Sequence, residues 1–154
     1  MRKQSAVERQ SNRPTGELTV LSVSPLDEDH SSLQAIIGHS AWKIFTAHDL
    51  LSTPALLRQH AVSVVLCERE LLPGTWIDML EHVRALPQAP SLIVTSRLAD
   101  DHLWAEALNL GAWDVLAKPF DRTEVIRSVK SAWQRWHDQI HMQATAVMIA
   151  SAAS

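Results

Sequence analysis

Several residues able to do chemistry stand where short apolar runs of this chain end. Ser24 and Pro25 follow LTVLSV, Glu68 follows VSVVLC, Thr95 closes SLIVT and Lys118 follows WDVLA. A carboxylate, an ammonium and two hydroxyls at such ends can build a polar pocket, with Glu68 and Lys118 as an ion pair that fixes one geometry. At a surface such a pair contributes only about 0–1 kcal/mol, so it would define shape more than stability. Asp27, Glu28 and Asp29 come within a few residues of Ser24. The expectation is that one of them, Asp29 by position, caps the helix starting there, while the others favour its positive end. Cys67 reads as a small buried hydrophobe, with a redox role left open until its exposure is known. His137 and His141 are spaced four apart on a helical pattern, which suits zinc, but no third ligand has an argued position and they read as solvent-facing.

The elements that must hold these residues alternate along the chain. Strand-like runs cover 18–23, 42–47, 62–67, 91–95 and 113–117, and amphipathic helical stretches separate them. The first helix places Leu33, Ile36 and Ile37 inward and ends near Gly38. A second spans Leu50 to His60 with Pro54 in its first turn, and a third runs from Trp76 to Leu86 before Pro87. The fourth, capped by Asp100 or Asp101, turns Leu103, Trp104, Ala107 and Leu108 one way and stops at Gly111. The fifth starts near Asp121 and sets Val125, Ile126, Val129, Trp133, Trp136 and Ile140 on one stripe. Its apolar pattern runs on through IHMQATAVMIASAAS, predicting either a frayed tail or an extension that pairs with a second subunit.

Strict alternation at these lengths demands parallel strands joined by crossover helices, hence an α/β, doubly wound, open five-stranded sheet. In such a sheet ligands bind beyond the carboxyl ends of the strands, where the residues named above stand. The chain is expected to divide into a polar, disordered tail over 1–16, a domain over 17–139 and a helical extension or tail over 140–154. With 154 residues, 46% apolar and 20% charged, it is long enough for one unaided core, and a net charge of −3 argues against a dedicated nucleic-acid or anionic-membrane binder. A lone cysteine and no secretory or membrane-spanning pattern lead to the expectation of a cytoplasmic protein.

The run GAWDVLAKPF (111–120), with LIVTSR (92–97) and VVLCERELLPG (64–74), resembles response regulator receiver domains over about residues 18–138. The resemblance implies the flavodoxin-like (βα)5 fold with strand order 2-1-3-4-5 and a role in two-component phosphorelay signalling. It also implies that Glu68 stands at the phosphoacceptor aspartate, Ser24 and Pro25 at the magnesium-binding acidic pair, and Thr95 and Lys118 at the phosphate-binding threonine and lysine. Val115 takes the aromatic switch position, and Pro119 is the cis-proline candidate. Trp113, two residues from Val115 on the same side of the strand, reads as packed under the fourth or fifth helix.

Proline offers magnesium no side-chain donor and serine only a neutral hydroxyl, whereas the ion needs anionic oxygens in near-octahedral array. The extra methylene of glutamate displaces the nucleophile. The expectation is therefore an atypical, stand-alone receiver with no catalytic residues, no metal and no cofactor. It would act as a non-enzymatic module on a histidine kinase or another signalling protein, or as a homodimer through the fourth helix, fifth strand and fifth helix. Two alternatives stand beside it. One is a phosphorylatable, Mg2+-binding receiver whose displaced pocket uses Asp27, Glu28 or Asp29 with Glu68. The other is a flavodoxin-like sensor or enzyme, disfavoured because SVSPLDEDH carries no glycine-rich phosphate loop.

Overall fold

Apolar and β-branched runs form five strands, β1 (Thr19–Val23), β2 (Lys43–Ala47), β3 (Val64–Glu68), β4 (Ser91–Ser96) and β5 (Asp114–Ala117). The computed structural model describes residues 17–153; the tail expected over 1–16 and Ser154 lie outside the described residues. All strand pairs are parallel, and the order is β2-β1-β3-β4-β5. The crossovers are α1 (Asp27–Ile37), α2 (Thr53–Gln59), α3 (Trp76–Arg84) and α4 (Asp101–Leu110), and α5 (Arg122–Ala153) follows β5.

The period of two along each strand divides the core into two layers. Leu21, Val23, Val65, Cys67, Leu92, Val94 and Val115 face α3 and α4. Val20, Val64, Leu66, Ile93 and Leu116 face α1 and α5. Helices on both faces explain why the central strands are apolar throughout.

Helix starts follow local capping chemistry, and two depart from expectation. Thr75 and Asp78 form a reciprocal capping box on α3, and Asp100 Oδ1 accepts the Leu103 N–H at the start of α4. The α2 helix begins later than the pattern suggested, because Asp49 Oδ1 accepts both the N–H and the hydroxyl of Ser52 and holds that turn apart. Those bonds also lower the Asp49 carboxyl below its usual range. On α1 no acid caps. Leu26 is the N-cap residue and makes no side-chain cap bond. Asp29 is instead buried, because a full positive charge lies on the sheet side of α1.

Two faces also differ from the pattern. On α4 only Leu103 and Ala107 are buried, while Trp104 and Leu108 are exposed. Trp113 precedes β5, so strand alternation does not govern it. It packs with the α1/α5 layer, its Nε1–H donating to Ser131 Oγ at 2.6 Å and the Arg135 guanidinium lying 5.3 Å from the ring, whereas Val115 faces the other layer. The α5 helix is unbroken across the expected boundary at 139/140 and extends about 48 Å at 1.5 Å per residue.

Candidate functional site

The carboxyl ends of β1, β3, β4 and β5 converge with the first turn of α1 on a single buried chain of polar contacts. Lys118, just past β5, places Nζ 2.7 Å from Glu68 Oε2 and 2.8 Å from Asp29 Oδ2. Ser24 Oγ donates to the same Asp29 oxygen at 2.7 Å, and Thr95 Oγ1 donates to Glu68 Oε2 at 3.3 Å. Glu68 and Thr95 are register partners on neighbouring strands, which sets that last contact. The sequence thus runs Ser24, Asp29, Lys118, Glu68, Thr95 through one network. When all three charged groups are ionised it carries one net negative charge.

The expected Glu68–Lys118 pair is present, but its setting is not a surface. The side chains of Lys118, Asp29 and Glu68 are 6%, 8% and 12% exposed. In that environment a charge without a partner costs several kcal/mol, so the two acids and the ammonium depend on one another. Of the three acids after β1, only Asp29 joins this network. Asp27 turns outward to His48 Nε2 at 2.6 Å, and Glu28 lies 3.8 Å from Arg97, both well exposed. Pro25 contributes no polar side-chain atom. The Lys118–Pro119 peptide bond is cis, as is Leu72–Pro73. A cavity of about 300 Å³ opens beside Asp29 and Lys118, bordered by Glu28, Arg97 and Phe120.

Sequence reasoning passed over His30, which is buried below the pocket. Its Nε2 meets the Ser24 carbonyl at 2.9 Å and its Nδ1 meets Ser22 Oγ at 2.9 Å. A carbonyl only accepts, so Nε2 carries the proton, and in the neutral ring Nδ1 accepts from the Ser22 hydroxyl. The ring thereby holds the backbone that aims Ser24 Oγ at Asp29. Ser24 Oγ also accepts the Leu26 N–H at 3.1 Å, so loop and helix start are tied to the same oxygen.

A family model for the response regulator receiver domain matches residues 27–130. The chain belongs to that family. Among curated proteins, this receiver domain is 28% identical over 124 residues to the transcriptional regulatory protein CpxR of Klebsiella pneumoniae, covering 78% of this chain and 52% of that one. It is 27% identical over 121 residues to the transcriptional regulatory protein ZraR of Salmonella typhimurium, covering 76% and 26%. The chain therefore spans about half or a quarter of these relatives. Solved structures share the fold at lower identity. The signal receiver domain of an HD domain-containing protein from Pseudomonas fluorescens superposes with a TM-score of 0.73 at 21% identity, covering 81% of this chain and 93% of that one. A CheY-like receiver domain protein from Methanospirillum hungatei gives 0.70 at 16%, covering 80% and 98%. Membership makes this a module of two-component signalling. No helix among the described residues is long and apolar enough to cross a membrane.

Cys67, one residue before Glu68, is fully buried, and burial followed by the neighbouring Glu68 charge pushes its thiol well above the ordinary range. A protonated, inaccessible thiol is a poor nucleophile, which weighs against a redox role. Thiol-specific labelling at pH 8 is expected to run at least about 1,000-fold slower in the native chain than in urea, since modification must wait for unfolding. Because the folded-state value is raised, the associated stabilisation is complete below the unfolded thiol's ordinary 9.0 and is lost as pH rises beyond it.

Proposed function

We propose that this receiver domain is an atypical interaction module whose pocket is held in one state by an internal salt-bridge clamp, in place of Mg2+-dependent phosphoryl transfer. The observation that carries the reading is the Lys118 ammonium seated between Asp29 and Glu68 at 2.8 and 2.7 Å. That cation holds Oδ2 of Asp29 and Oε2 of Glu68, the two buried carboxylates of the network. Ser24 is committed as a donor to Asp29 and Pro25 has nothing to offer. Near-octahedral magnesium needs several anionic oxygens free at once, and this donor set does not fit it. Glu68, the phosphoacceptor equivalent, is held by both Lys118 and Thr95, the phosphate-binding equivalents, so its carboxylate stands where they would otherwise receive a phosphoryl group.

In this reading the clamp presents a constant surface to a signalling protein such as a histidine kinase. Trp104 and Leu108, 38% and 49% exposed on α4, support docking or homodimerisation through α4, β5 and α5. Val115 at the switch position is buried and too short to repeat an aromatic swing. A cytoplasmic setting follows from partners of this kind.

The alternative, a working phosphoacceptor with a displaced acidic pocket, has one observation in its favour: Asp29 returns a carboxylate to the site from α1. It requires Lys118 to release both acids. One experiment separates the readings. The chain is incubated with Mg2+ and a small acyl phosphate and weighed intact, while tryptophan fluorescence follows a Mg2+ titration. The clamp predicts an unchanged mass and no saturable signal. Uptake of one phosphoryl group on Glu68 or Asp29 decides for the alternative.

A further inference from the structure

Far from the pocket, on the outer side of α5, His137 and His141 turn their Nε2 atoms toward each other at 3.1 Å. The rings meet edge-on with centroids 4.3 Å apart, and His137 is stacked on Trp133 at 4.8 Å, which fixes its plane. Two imidazole nitrogens at this separation, each about 2.0–2.1 Å from one zinc ion, subtend roughly 100° at the metal, between octahedral and tetrahedral angles. The helix therefore already holds the bite of a bidentate metal ligand. In the metal-free chain one Nε2–H donates to the other ring's Nε2. A tautomeric shift of that proton to Nδ1 turns both lone pairs toward an ion without net loss of a proton.

Two nitrogens are half of a structural zinc site. Among the described residues no group of three or more His, Cys, Asp or Glu side chains is placed to hold a metal. The adjacent Asp138 is turned to Gln134 Nε2 at 2.9 Å. We propose that His137 and His141 are a zinc half-site completed by the same pair from a second copy, so that the ion joins two α5 helices. The helix beyond the pair has the matching character. No charged residue occurs from 142 to 153, and of the exposed apolar side chains there Met148, 73% exposed, lies on the face of the pair with Val147, 68% exposed, beside it. His137, His141, Ala144 and Met148 follow the 4-3-4 spacing of a two-helix seam. A twofold axis through the ion brings the same patch from each copy together and closes the assembly at two. This inference is independent of the clamp.

The test uses the full chain with zinc chloride, then with EDTA, read by light scattering after size exclusion and by zinc content. The expected result is a zinc-dependent doubling of mass with one zinc per two chains, reversed by EDTA. His137→Ala and His141→Ala each abolish it. His102→Ala, which removes an exposed histidine on α4, leaves it unchanged. Three results overturn the proposal: no zinc uptake, one zinc per monomer, or a zinc-dependent dimer that survives loss of both histidines.

Discussion

Replacing Lys118 with methionine is expected to destabilise the domain by about 3–5 kcal/mol, because it strands two buried carboxylates whose common partner has gone. Asp29 and Glu68 share Lys118 Nζ at 2.8 and 2.7 Å, and their side chains are only 8% and 12% exposed. What remains for Asp29 is the Ser24 hydroxyl, and for Glu68 a longer contact to Thr95. Neither replaces a full positive charge. Adding Asp29→Asn and Glu68→Gln to Lys118→Met is expected to restore stability to within about 1–2 kcal/mol of the parent, since neutral groups of similar shape can be buried without the ion. Urea unfolding at constant pH measures both. A single-variant loss below about 1 kcal/mol would mean that the three groups behave as a solvated surface pair, contrary to the clamp. Ser24→Ala should show a smaller loss of about 1–3 kcal/mol, because it leaves the Leu26 N–H and one Asp29 contact unmet.

The alternation of apolar runs and helical spacing makes the sheet legible, because each parallel return needs its own crossover and leaves little freedom in topology. Glu68 facing Lys118 is legible too, as both must lie at the same strand ends. Asp29 was harder. An acid in the first turn of a helix reads as a dipole partner, and that reading suits Asp27, Glu28 and Asp29 equally. The distinguishing signal is periodicity. Asp29 stands four residues before Leu33 and eight before Ile37, both buried, so it lies on the inward stripe of α1, whereas Asp27 and Glu28 do not. An acid on an apolar stripe calls for a buried cation, and Lys118 is there. His30 falls on the same stripe, three residues before Leu33 and seven before Ile37, and the same periodicity marks it as inward-facing. Trp104 and Leu108 show the reverse limit: periodicity assigned them to a helix face but could not say how wide a face the sheet covers.

If the pocket lost its metal chemistry through a few identifiable positions, restoring them should return it. Ser24→Asp with Pro25→Asp places two anions at the end of β1, Glu68→Asp draws the carboxylate back by one methylene, and Asp29→Asn releases Lys118 from its second acid. The combined variant is expected to bind Mg2+ saturably and to take up one phosphoryl group per chain from a small acyl phosphate, and the parent is expected to take none. The cation offsets repulsion between donor and carboxylate, and a freed ammonium stabilises the transferring oxygens, the two contributions on which phosphoryl transfer most depends. Trp76 is a built-in reporter, since its backbone N–H donates to the carbonyl of Arg69, one residue beyond Glu68, at 3.0 Å. Keeping Asp29 while making the other three changes should leave Lys118 partly held and phosphoryl uptake weaker. A folded four-position variant that neither binds Mg2+ nor gains mass would show that the loss lies elsewhere in the domain, and equal uptake with and without Asp29 would show that the salt bridge from α1 does not hold the site closed.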